Sequence, residues 1–182
     1  MLFRSGTAAP FHPVNRLDRG TTGVMCAAKT GYMHDRLRRL LHTPALRREY
    51  LAITVGAPEP ASGVIDLPIC RRGEEKRFCV RPDGAPSVTA YETLASGDGL
   101  ALLRLRPETG RTHQIRVHLS AIGCPILGDR LYGRASAEIA RPALHSARLT
   151  LTHPLTGETV EAAAPLPEDM RAVLTTHGLT YE

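Results

Sequence analysis

The chain has 182 residues, 42% of them hydrophobic, with 23 Lys plus Arg against 18 Asp plus Glu and a net charge of +5. That length suits one domain, 1–182, able to bury a sizeable core, and the apolar content argues against disorder over most of it, residues 1–13 being the stretch where disorder is expected. No apolar run approaches the roughly 18 residues of a membrane-spanning helix, and the opening MLFRSGTAAPF lacks the apolar stretch of a secretory signal, so a cytoplasmic setting without a membrane partner is expected.

Taken in chain order, the elements form an α+β pattern. Residues 23–29 (GVMCAAK) read as a buried strand. Met33, Leu37, Leu40 and Leu41 recur at helical spacing, with Arg36, Arg38 and Arg39 off that stripe and facing solvent or a polyanion. Residues 49–55 alternate Leu51, Ile53, Val55 against Tyr50, Ala52, Thr54 and read as a strand that Gly56 and Pro58 end. From 63 to 106 come several short strands, with turns at Gly73, at Pro82-Asp83-Gly84 and at Gly97-Asp98-Gly99. A helix begins near Thr112, its predicted N-cap, and stops at Gly123. Strands follow at 144–151 and 158–163, joined through Pro154-Leu155-Thr156-Gly157. A last helix has Pro167 near its start, Glu168 and Asp169 in its first turn and Gly178 after its end.

Of the 23 basic residues, only Lys29 and Lys76 are lysines. Arginine offers a planar fork suited to phosphates and to stacking on bases, so the charge favours a polyanionic partner. The four cysteines, Cys26, Cys70, Cys79 and Cys124, make no C-x-x-C pair and no cluster of zinc spacing. They read as reduced, mostly buried thiols, and no metal is expected.

Two segments concentrate the chemistry. In NRLDRGTTG (15–23) one carboxylate, Asp18, stands between Arg16 and Arg19, ahead of Gly20 and Gly23. In TGRTHQIRVHL (109–119), about 90 positions on, helical spacing puts His113, Arg116 and Ser120 on one face and Ile115, Leu119 and Ile122 on another. Taken singly, Asp18 reads as a turn former and Arg116 as a solvent-facing helix residue. Taken together, they offer a carboxylate nucleophile and a guanidinium that would keep it charged and oriented.

The motifs carry a resemblance. NRLDRGTTG is similar to the H-R-L-D-x-x-T-S-G motif of the RluA-type RNA pseudouridine synthases, and RREYLAITVG to their K-x-Y-x-A-x-V-x-G strand. TGRTHQIRVHLSAIGCPILGDRLYG resembles the longest signature of that family, and LHSARLTLTHPLTGE its C-terminal L-H-A-x-x-L-x-F-x-H-P pattern. The four occur in family order and cover most of the chain from residue 14 to residue 161.

The resemblance implies the pseudouridine synthase catalytic fold, a mixed, mainly antiparallel sheet flanked by helices. It implies that uridine in structured RNA, ribosomal or transfer, is isomerised to pseudouridine. Asp18 would be the catalytic aspartate, Arg116 its basic partner, and Tyr50 the residue against the uracil ring that helps move the C5 proton. Arg16 would enter the RNA stack vacated by the flipped base, and Arg111, His113, Gln114 and Leu149 would complete the substrate-binding set. The isomerisation adds and removes nothing, so neither cofactor nor metal is required.

Asn15 and Thr22 depart from the family's usual His and Ser but can still hydrogen-bond. The family also has an Asn-Lys-Pro-Ala-Gly-like strand and loop ahead of the aspartate motif, and here only 14 residues precede Asn15. A sheet lacking a strand exposes an edge, so lower stability, oligomerisation or weak RNA binding is expected. The rival reading is a non-catalytic RNA-binding or ribosome-assembly protein derived from a synthase. The complete Asp18, Tyr50 and Arg116 set favours catalysis over it.

Overall fold

The structure, a computed structural model, describes residues 11–73 and 77–180. Its scaffold is one sheet whose main path runs β11-β10-β4-β9-β8-β5, formed by β4 (Leu46–Val55), β5 (Ser62–Asp66), β8 (Val88–Gly97), β9 (Leu100–Pro107), β10 (Leu144–Thr152) and β11 (Thr159–Ala163). Neighbours along that path are antiparallel. The two-residue β2 (Thr22–Gly23) adds the one parallel pairing, with His145 and Ser146 of β10. Two small hairpin-like pairs stand apart: β1 (His12–Pro13) with β3 (Ala27–Ala28), and β6 (Ile69–Arg71) with β7 (Phe78–Val80). With helices α1 (Gly31–Leu40), α2 (Gln114–Ala121) and α3 (Glu168–Thr176), this is the expected α+β, mainly antiparallel fold.

Strand β4 sits in mid-sheet, and Tyr50, Leu51, Ala52, Ile53 and Thr54 are all buried. The expected in–out alternation is therefore absent, because both faces of the strand are covered. Val55, on the same side of the alternation as Leu51 and Ile53, is exposed at the strand's end. The main core joins β4 to Leu102, Leu103 and Leu105 of β9, to Ile115 and Leu119 of α2, and to Met170, Val173 and Leu174 of α3. A smaller core lies under α1, where Leu37 meets Val14, Ala28, Leu46, Leu149 and Leu151. Thr30 caps α1 by accepting the Met33 N–H at 3.2 Å, and the charged arginines stay on the outer side.

Several sequence expectations need correction. The strand predicted at 23–29 is split, because its first part pairs with β10 and its last with β1, leaving Val24 to Cys26 as the crossing. The expectation of disorder over 1–13 lies outside the described residues for 1–10, but His12 and Pro13 are paired with β3. Thr112 does not cap α2: the residue before the helix is His113, in the left-handed conformation at φ 58°, with no side-chain cap. Only Cys124 is buried; Cys26, Cys70 and Cys79 are partly exposed, and Cys70 faces Cys79 across the β6–β7 pair at 3.7 Å.

Candidate functional site

The loop 15–21 reaches the sheet through backbone contacts that leave no room for side chains. Gly23 has φ 113°, and a Cβ there would sit 2.1 Å from the Ser146 carbonyl oxygen. Its glycine identity thus permits β2 to lie against β10. Around that anchor the Thr22 hydroxyl meets His145 Nδ1 at 2.8 Å, the Val24 N–H donates to the Ser146 carbonyl at 2.8 Å, and Arg141 Nη1 donates to the Gly20 carbonyl at 3.1 Å. The side-chain oxygen of Asn15 accepts the Cys26 N–H at 2.8 Å. Both departures from the motif, Asn15 and Thr22, therefore carry hydrogen bonds that shape the loop. The Thr21 N–H closes a turn on the Asp18 carbonyl at 2.9 Å.

Helix α2 brings Arg116 to that loop. Arg116 is 6% exposed, and its Nη1 lies 3.8 Å from Asp18 Oδ2. Its closest partner is a residue the sequence reading passed over. Asp129, fully buried, takes Arg116 Nε at 2.7 Å and Nη2 at 2.8 Å in a bidentate pair. Asp129 Oδ1 also accepts the N–H groups of Leu131 and Tyr132, and the Arg116 guanidinium carbon stands 5.0 Å over the Tyr132 ring. Burial opposes charge at both ends of this pair. Yet the hydrogen bonds and opposite charge outweigh it, holding the Arg116 pKa above and the Asp129 pKa below their ordinary values.

The consequence is geometric. Asp129 fixes the guanidinium, and the fixed guanidinium faces Asp18 from beyond hydrogen-bonding distance. Asp18 feels the positive charge while the lone pairs of its partly exposed carboxylate remain available. The signal for Asp129 and Tyr132 lay in the GDRLYG end of the long motif, but only the fold reveals that this loop returns to α2.

Asp18 and Tyr50 line one cleft with Arg16, Arg48, Arg111, Gln114 and Leu144. Tyr50 is 7% exposed, and burial raises its pKa against the pull of the Arg48 charge, so its phenol stays protonated. Arg16 and Arg111 are exposed at the cleft, and both also line the adjoining depression with His34, Arg38 and His42.

The remaining predicted residues sit differently. Gln114 lines the cleft, but its amide is engaged within the protein. Its Oε1 accepts from the Thr109 hydroxyl and the Arg111 N–H, and its Nε2 donates to the Val88 carbonyl and the Thr89 hydroxyl. His113 hydrogen-bonds the Tyr132 hydroxyl at 2.8 Å and meets the Phe78 ring edge-on, behind Arg116. Burial, with the Arg116 charge, lowers its pKa against the pull of Asp18 and Asp129. Leu149 belongs to the small core under α1 and does not line the cleft; Leu144, five positions earlier on β10, does. Among the described residues no group of three or more His, Cys, Asp or Glu converges as metal ligands would.

A profile described as RNA pseudouridylate synthase matches residues 2–121. An uncharacterized RNA pseudouridine synthase of Bacillus subtilis, YjbO, is 41% identical over 171 residues, covering 93% of this chain and 60% of its own. Proteins named ribosomal large subunit pseudouridine synthase D from Nitrosomonas europaea and Vibrio parahaemolyticus are 42% and 43% identical over 88% of this chain and 49% and 54% of theirs. The chain thus spans about half to three-fifths of the length of these relatives. Among solved structures, human RNA pseudouridylate synthase domain containing 4 aligns with a TM-score of 0.78 at 32% identity, over 93% of this chain and 77% of that one.

Proposed function

The chain belongs to the RNA pseudouridylate synthase family, and from that membership we propose that it isomerises uridine in RNA to pseudouridine with Asp18 as the catalytic carboxylate. One observation carries the reading: Asp18 faces the guanidinium of Arg116, itself gripped by Asp129, in the cleft that Tyr50 lines. A base stacked in RNA cannot enter such a cleft, so the target nucleotide flips out at a cost of a few kcal/mol. Arg16, exposed at the rim, takes the vacated position, and its stacking on the neighbouring bases offsets part of that cost.

Asp18 then acts on the nucleoside. The N1–C1′ bond breaks, the uracil turns, and C5 bonds to C1′. C5 loses its proton and N1 gains one, so atoms balance without a cofactor. Tyr50 packs against the ring and relays the C5 proton, and Arg111 holds the RNA at the rim. His113 and Gln114 support the site from behind, through Tyr132 and through the 109–111 loop. The names of the relatives favour ribosomal RNA as the first substrate to test, and a cytoplasmic setting is part of the same proposal.

The test is tritium release from RNA labelled at uridine C5. Release by the parent and none by Asp18→Asn is the expected result. RNA binding with no release by either protein, both folded, would overturn catalysis in favour of a non-catalytic RNA-binding protein.

A further inference from the structure

Arg48 is the half-buried arginine of the cleft that has no carboxylate partner among the described residues. It stands two positions before Tyr50 on β4 and lines the cleft of Asp18, the adjoining depression, and the shallow groove beyond it. The other half-buried arginines have carboxylates: Arg116 has Asp129, Arg104 has Glu92 and Glu49, and Arg141 has Asp169. Arg48 has none among the described residues. Its Nη2 donates to the carbonyls of Pro107 and Thr109 at 3.3 and 3.1 Å, and its buried Nε has no partner at all. Taking a guanidinium out of water without an anion is costly, and a site that does so is poised to receive one.

The cleft and the adjoining depression both open beside it, and Gly110 and Arg111 line the two. A Cβ on Gly110 would stand 2.6 Å from His42 Cε1 and 3.4 Å from Arg48 Nη1, so glycine lets the loop lie this close to the His42 ring and the guanidinium. Arg111, next in the chain and exposed, brings a second guanidinium to the same depressions. His42 closes the outer side. Burial first, then the charges of Arg48 and Arg111, lower its pKa against a bond to the Glu108 backbone, so the positive charge there comes from Arg48 and Arg111 with Arg16 and Arg38 further along.

We propose that Arg48, Gly110 and Arg111 form a cradle for one backbone phosphodiester of the RNA, next to the nucleotide held between Asp18 and Tyr50. A phosphate there replaces the missing carboxylate, and the forked guanidinium meets two of its oxygens. The contact fixes the strand's register before the base is engaged, since phosphate contacts position and carry no sequence information. The proposal rests on the RNA-isomerase reading for the identity of the strand.

The experiment compares the parent chain, Arg48→Gln and Arg48→Lys in two assays over about 50 to 300 mM KCl: tritium release from C5-labelled ribosomal RNA transcripts, and direct binding of the same transcripts. Arg48→Gln is expected to raise KM and the dissociation constant about tenfold and to reduce the slope of log affinity against log salt by about one. Arg48→Lys should restore the slope and most of the affinity. A slope unchanged in Arg48→Gln, or a lysine variant no better than the glutamine one, would overturn the cradle and leave Arg48 as a tie to Pro107 and Thr109. If Arg48→Gln does not fold, Arg48→Lys and the exposed-site variant Arg111→Gln carry the same slope test. Binding is scored independently of turnover. A parent that binds without releasing tritium sinks the isomerase reading, while the slope still decides the cradle.

Discussion

Arg116 answers to two carboxylates, and their removal has different consequences. Asp129 is fully buried and supplies both short hydrogen bonds, whereas Asp18 is partly exposed and stands off at 3.8 Å. Asp129→Ala strands a buried guanidinium, which is expected to cost about 3–5 kcal/mol of stability and to abolish turnover. Asp18→Asn is expected to abolish turnover while changing stability by less than about 1 kcal/mol, as for loosely coupled ion pairs. Urea unfolding and tritium release on the same preparations separate the two. If Asp18→Asn destabilised the chain as much as Asp129→Ala, Asp18 would be a structural carboxylate. The sequence offered the pair Asp18 and Arg116 because both stand in long motifs. It hid Asp129, because an acid after glycine reads as a turn and nothing local says that its turn faces the buried side of α2. Leu149 shows the opposite error: alternation along β10 marks it as inward but not which of two cores it enters.

The element that sets the site is β2, two residues long, and its stability resides in a contact that a methyl group would abolish. Gly23→Ala would put Cβ 2.1 Å from the Ser146 carbonyl oxygen at a φ of 113° that alanine avoids. The parallel pairing of Thr22 and Gly23 with His145 and Ser146 would have to open, and the loop of Asp18 would lose its anchor. A loss of more than about 2 kcal/mol is expected, in the class of backbone-strain substitutions. Amide exchange should rise in residues 18–24 and 145–146 before the rest of the sheet. Exchange confined to the background level there, with activity kept, would refute the role given to β2. Strands β8 and β9, ten and eight residues long, read only as short strands because both carry few turn signals that mark their length. Helix α1 was legible from its repeating apolar spacing and α3 from its end signals, Pro167, Glu168, Asp169 and Gly178. The start of α2 was not, because His113 enters the helix from a left-handed conformation that tertiary bonds to Tyr132 hold. The split of the strand predicted at 23–29 was equally invisible, since its two halves pair with strands that are distant in the chain.

At the scale of the molecule, histidines knit the fold as neutral groups, and this dictates how stability depends on pH. His118 is fully buried between the Thr89 hydroxyl at Nδ1 and the Leu67 carbonyl at Nε2. His145, 2% exposed, bridges the Thr22 hydroxyl and the Ala164 carbonyl. Burial, the largest cause in each, lowers both pKa values from the ordinary 6.5. As pH falls below that value, the unfolded chain takes up protons that the folded chain refuses. The stabilisation is therefore complete above pH 6.5 and drains away as pH falls toward the folded values, by at most about 1.4 kcal/mol per pH unit for each histidine. His177 works in the opposite sense. Glu138 and Asp98 raise its pKa, so its contribution is present below 6.5 and is lost as pH rises, but both partners face solvent and offset little. Net stability from urea unfolding should thus decline from pH 7.5 to 5.5, and His118→Gln should make that decline shallower while lowering stability at pH 7.5. The amide retains a donor and an acceptor but cannot titrate, so the change in slope reads the charge on His118 apart from its packing. A decline of equal steepness in both proteins would mean that His118 is protonated inside the fold, against its burial and its two bonds.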